Sequence, residues 1–95
     1  MPSTLHLSVV TPEKVLFDGD VKYVHVPGGA GFFGVLPDHA PMLASLQPGP
    51  FEVRPVAGAP VKFRTSCPGF FEVVSNKASI LLDAADTKSW PHRLP

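Results

Sequence analysis

With a single cysteine, Cys67, this 95-residue chain can form no internal disulfide, and it has no C-x-x-C pair to hold zinc. No uninterrupted apolar run approaches the ~20 residues that a membrane-spanning helix needs. The opening Met-Pro-Ser-Thr-Leu-His-Leu lacks the basic flank and long apolar stretch of a secretory signal. Charge of one sign is also missing: eight basic residues face eight acidic ones, for a net charge of zero. Residues 1–47 carry two basic and four acidic residues, and residues 48–95 carry six and four. Neither half contains a basic run, which disfavours a nucleic-acid backbone as partner. Together these absences point to a soluble protein of a reducing compartment, with any membrane role exercised through partners and no direct insertion.

What is abundant is punctuation. Twelve prolines and eight glycines in so short a chain imply many short strands separated by turns. At 44% hydrophobic the chain has material for one modest core. A single domain of this length buries only about 60–65% of the surface of its unfolded chain.

The most informative stretch spans residues 26–49. Gly28, Gly29, Gly31 and Gly34 fall in its first nine residues, but Pro37 and Pro41 prevent a helix from following. A phosphate-binding glycine loop needs that helix N-terminus, so these glycines are read as bends and close backbone contacts in a β-rich domain.

Leu5-His6-Leu7-Ser8-Val9 alternates with the period of a half-buried strand, and Val15-Leu16-Phe17 resumes the pattern after Thr11-Pro12-Glu13. Asp18-Gly19-Asp20 is expected to turn. The apolar phase slips between Tyr23 and Val24, which calls for burial on both sides or a bulge. Phe51 to Arg54 and Val61 to Arg64 form a hairpin with a loose loop, and Phe71 to Val73 pairs with Ala78 to Leu82 around Ser75-Asn76-Lys77. One helical turn is expected around residues 42–46. Phe32, Phe33, Phe51, Phe63, Phe70 and Phe71 are the expected heavy core residues, although alternation sends one of the Phe32–Phe33 pair outward. The fold class is all-β, an antiparallel sandwich or flattened barrel.

No catalytic constellation stands out. His6, His25, His39 and His92 show no helical metal-ligand spacing. A Cys67–His39 nucleophile pair is weighed against a small, packed sulfur, and the latter is preferred. Asp18 and Asp20 are expected to satisfy local backbone groups. Neither a metal nor a cofactor is expected.

The motifs converge on a known family. Residues 5–19, Leu-His-Leu-Ser-Val-Val-Thr-Pro-Glu-Lys-Val-Leu-Phe-Asp-Gly, resemble the opening of the epsilon subunit of F-type ATP synthases. Gly31-x-x-Gly34-x-x-Pro37-x-His39-Ala40-Pro41-x-Leu43, Pro48-Gly49 and Gly69-Phe70-Phe71-Glu72-Val73 are similar to its later motifs. The resemblance covers residues 4–86. It implies a flattened sandwich of two packed sheets over residues 1–86, a short tail over 87–95, and a non-catalytic central-stalk role. The implied partners are the gamma subunit and the c-ring, at the cytoplasmic side of a bacterial inner membrane in preference to an organellar one. Either protons or sodium could drive the rotor. Partner-facing residues implied by the motif are Gly31, Phe32, Phe33, Gly34, Pro37, His39, Ala40, Pro41 and Leu43, with residues 31–34 towards the c-ring and His39 to Leu43 towards gamma.

Three departures modify that expectation. Only twelve residues follow Asp83, too few for the family's C-terminal helical hairpin, so inhibition by that hairpin is not expected. Where some members carry Leu-Asp-x-x-Arg-Ala to bind ATP, this chain has Leu82-Asp83-Ala84-Ala85-Asp86-Thr87, and the acidic Asp86 disfavours ATP. Phe32 replaces an acidic residue common in the ring-facing loop. The alternative to a rotor role is a sandwich adaptor that meets another protein through Phe32 and Phe33.

Overall fold

A computed structural model describes residues 4–83. The expectations for Asp86, His92 and the tail over 87–95 lie outside the described residues. Eight strands follow in order: β1 (Leu5–Val10), β2 (Val15–Gly28), β3 (Gly31–Val35), β4 (Met42–Leu46), β5 (Gly49–Pro55), β6 (Val61–Thr65), β7 (Gly69–Val74) and β8 (Lys77–Leu82). Among the described residues no helix is long and apolar enough to cross a membrane.

The architecture is all-β, and β2 organises it. Its first half pairs antiparallel with β1, from Val10↔Val15 to Leu5↔Val21. Its second half pairs with β5 on one side and β3 on the other. One layer therefore runs β6-β5-β2-β3 and the other β2-β1-β8-β7-β4, with β1–β8 parallel. A single pairing, Gly28↔Leu46, closes the second layer back onto the end of β2. The molecule is 21 Å along its shortest axis, which suits two sheets about 10 Å apart with their outer side chains.

The phase slip in β2 is a bulge. Val21 faces Pro55 while Tyr23 faces Arg54, so Lys22 is the extra residue. This shift lets Val21 and Val24, three positions apart, both point into the core. Both expected hairpins form. Ser75 and Asn76 take φ of 52° and 61°, the left-handed pair that a two-residue β7–β8 turn requires. The β5–β6 connection is longer, with Gly58 at φ 97°.

Three expectations are corrected. Asp18-Gly19-Asp20 does not turn: it is mid-strand, opposite Ser8, Leu7 and His6. Cross-strand pairing outweighs the local turn signal there, and a Cβ at Gly19 would make only ordinary contact with the Phe17 ring, at 3.6 Å. Residues 42–46 form strand β4, not a helical turn, and all five pair with β7. Five residues between Pro41 and Pro48 are too few to offset helix nucleation, whereas the ladder satisfies the backbone at once. Among the six phenylalanines, Phe51, Phe63 and Phe71 are buried and Phe33 packs on the core, but Phe32 and Phe70 are each 55% exposed. Alternation explains both: each precedes an inward neighbour and so faces out.

Candidate partner-binding surface

The segment from the end of β2 through β3 into β4 carries every partner-facing residue implied by the family motif. It begins in the turn at residues 28–31. A Cβ on Gly28 would lie 2.7 Å from both the Gly31 carbonyl oxygen and a Phe33 ring carbon, so only glycine allows this close approach. Gly31 has φ 135°, a second requirement for glycine. A strand follows the glycines, so they serve as the expected bend.

Along β3 the two phenylalanines part. Phe33 meets the buried Phe71 edge-to-face, with ring centroids 5.7 Å apart. Phe32 lies on the outer face, stacked parallel on His25 at 5.3 Å. Phe33 is therefore an anchor and Phe32 a displayed side chain. Gly34 sits under Tyr23, whose ring would collide with any Cβ there.

Beyond β3, Pro37 and His39 are half-buried while Ala40 and Pro41 are exposed. Asp38 has φ 68° and is held by Asn76 across the fold. The Asp38 backbone N–H donates to Asn76 Oδ1 at 2.6 Å, and Asn76 Nδ2 donates to Asp38 Oδ1 at 3.0 Å. His39 Nδ1 donates to the Ala40 carbonyl at 2.7 Å. Leu43, opposite Glu72 on β4, is 73% exposed. A hollow of about 330 Å³ lies between the β3 and β4 edges, lined by Phe33, Met42, Ala44 and the glycine turn.

Cys67 packs half-buried against the core, and its backbone carbonyl accepts from Thr65 Oγ1 at 3.3 Å. Asp18 and Asp20 accept from His6 instead of from local backbone: His6 Nε2 lies 2.5 Å from Asp18 Oδ1 and Nδ1 lies 3.1 Å from Asp20 Oδ1. The hydrogen bond to Asp20, then that to Asp18, raises the His6 pKa. Among the described residues no three His, Cys, Asp or Glu side chains form a metal-binding group.

Sequence reasoning missed two surfaces. On the outer face of the second layer, Phe70 pairs with Leu81, which pairs with Val10. On the outer face of the first, Tyr23, His25, Glu52, Arg54, Lys62 and Arg64 gather beside Phe32. The signal was available: period-two alternation already puts Glu52 with Arg54, and Lys62 with Arg64, on one face.

The geometry has counterparts among known proteins. The family model described as the ATP synthase delta/epsilon chain β-sandwich domain matches residues 4–88. An ATP synthase epsilon chain of Leptospira borgpetersenii is 47% identical over 79 residues, covering 83% of this chain and 61% of the relative. One from Nitratidesulfovibrio vulgaris is 37% identical over 86 residues, covering 90% and 63%. The chain thus spans about three fifths of the length of these curated relatives. Among solved structures, a chain of the Euglena gracilis mitochondrial ATP synthase superposes with a TM-score of 0.81 at 23% identity, covering 90% of this chain and 54% of its own. A chain of the Tetrahymena thermophila mitochondrial ATP synthase central stalk/c-ring gives 0.70 at 19%, covering 83% and 63%. At such identities these two speak to the fold alone. With the family model spanning nearly all of it, the chain belongs to the ATP synthase delta/epsilon family and carries that family's β-sandwich domain.

Proposed function

We propose that the chain is a non-catalytic central-stalk subunit of an F-type ATP synthase, packing on the gamma subunit and the c-ring to couple ion-driven rotation to ATP synthesis. The observation that carries this reading is the family match over residues 4–88. On this reading the domain spans residues 1–86, with 87–95 as a tail, and the subunit lies at the cytoplasmic side of a bacterial inner membrane through the complex. Phe32, between Gly31 and Gly34, faces the c-ring. His39, Ala40, Pro41 and Leu43 face gamma, with Pro37 shaping their loop and Phe33 anchoring β3 from within. Phe32 and Leu43 are both exposed, as contacts with partners would require. ATP binding at the β8 end is not part of the proposal.

Co-purification tests it. Tagged chain, mixed with gamma subunit and solubilised c-ring from the same source, should retain gamma through washing at moderate salt. Failure to retain either partner would overturn the rotor reading while leaving the family assignment in place.

A further inference from the structure

The outer face of the β2-β1-β8-β7-β4 layer gathers apolar side chains into one row. Val15 pairs with Val10, Val10 with Leu81, and Leu81 with Phe70, so four neighbouring strands each contribute one. Val15 is 58% exposed, Phe70 55% and Leu81 44%. The adjacent row is polar: Asp18, Ser8, Ser79 and Glu72 follow one another across the same four strands. A contiguous stripe of this kind differs from the single exposed apolar residues that any surface carries. A hollow of about 290 Å³ opens along it, among Val10, Pro12, Phe70, Leu81 and Asp83. Small-molecule sites begin at about 300 Å³, so the hollow suits one large side chain.

The chain itself leaves the sheet at this place. Strand β8 runs from Lys77 to Leu82, towards the apolar row, and Asp83 beyond it already lines the hollow. The sequence that follows, outside the described residues, is Ala-Ala-Asp-Thr-Lys-Ser-Trp-Pro-His-Arg-Leu-Pro over 84–95. Its large apolar side chains are Leu94 and Trp90, the one tryptophan of the chain. Trp90 comes seven residues after Asp83, a reach of about 23–25 Å in extended backbone. The row spans three strand spacings, about 14 Å, so the indole can reach any point of it. A tethered segment meets the stripe intramolecularly, and a tryptophan ring can bury about 150–250 Å². A second copy or a separate protein would bear the full cost of association.

We propose that residues 84–95 form a strap that folds back over this stripe, with Trp90 seated in the hollow against Val10, Phe70 and Leu81. Pro91 biases Trp90 towards extended backbone, which suits a strap lying along a sheet. None of the residues assigned above to the gamma subunit or the c-ring takes part. The inference therefore goes beyond the rotor reading, and either can fail without the other.

Because the chain has one tryptophan, fluorescence of the full chain reports on this contact. Native emission should lie to the blue of the emission in denaturing urea, and acrylamide should quench it several-fold less. Phe70→Ser with Leu81→Ser truncates two exposed side chains and should move both readouts towards their urea values. Val56→Ser, an exposed position on the first layer's β5–β6 connection, should leave them unchanged. Circular dichroism confirms that each variant is folded. Should the double change disturb folding, Trp90→Ala replaces it. The NMR resonances altered by Trp90→Ala should centre on Val10, Phe70 and Leu81. The proposal is overturned if native emission and quenching match those in urea, or if the folded double variant keeps the parent's values. It is equally overturned if Trp90→Ala alters resonances elsewhere instead, or if protection disappears on dilution, which would give the stripe to a second copy of the chain.

Discussion

Replacing Phe33 and Phe32 separately by alanine tests whether β3 has one anchoring and one displayed ring. Burying a phenylalanine fully is worth about 1.5–3 kcal/mol. Phe33 is half-buried and also meets Phe71 edge-to-face, a contact worth about 0.5–1.5 kcal/mol beyond its area. Phe33→Ala should therefore cost about 2–3 kcal/mol. Phe32 keeps 55% of its surface in water and gains only its stack on His25, so Phe32→Ala should cost under about 1 kcal/mol. Near 4–8 °C per kcal/mol for a domain of this size, the Tm falls by roughly 10–20 °C for Phe33→Ala and by less than about 8 °C for Phe32→Ala. Thermal unfolding followed by circular dichroism, with urea titration for ΔG, measures both. Equal losses, or a larger loss for Phe32→Ala, would refute the assignment of the two rings.

Two further outcomes follow from particular atoms. A Cβ on Gly69 would press on the Leu81 carbonyl oxygen and lie 2.9 Å from Leu82 Cδ2. Gly69→Ala should cost about 1–3 kcal/mol by urea titration, whereas Gly19→Ala, whose new methyl makes ordinary contacts, should stay within about 1 kcal/mol; similar losses would contradict this. For His6 the folded pKa is raised, so its contribution is complete below the unfolded value of ~6.5 and is lost as pH rises through the folded one. The stability gap between the parent and His6→Ala should accordingly be larger at pH 5.5 than at pH 8.5. It stays under about 1 kcal/mol because the pair is solvent-screened, and a gap unchanged by pH would remove the ion pair from the account.

Much of this fold was legible because its signals are local and periodic. The alternation of Leu5, Leu7 and Val9, the turn at Ser75-Asn76, and the slipped phase of β2 each follow from side-chain direction or backbone reach. Where reading failed, distant chain segments decided the outcome. Asp18-Gly19-Asp20 has turn chemistry, but β1 lies alongside and His6 draws both carboxylates to the outer face. Residues 42–46 carry no strong strand signal, yet β7 offers them a full ladder. The surface was harder still. A hollow assembled from β2, β3, β5 and β6 has no contiguous motif, and the Arg54–Tyr23–His25–Phe32 row beside it exists only once the register is set. The clamp between Asp38 and Asn76 joins residues that neither neighbouring sequence connects.

The measurement that bears most directly on the rotor proposal is a calorimetric titration of the chain with gamma subunit from the same source. Phe32→Ala and Leu43→Ala variants are titrated alongside. The proposal predicts a saturable complex that survives Phe32→Ala within about twofold and weakens about tenfold with Leu43→Ala, a step near 1.4 kcal/mol. No heat of binding and no complex with the parent chain would contradict it, leaving a family sandwich whose partner lies elsewhere.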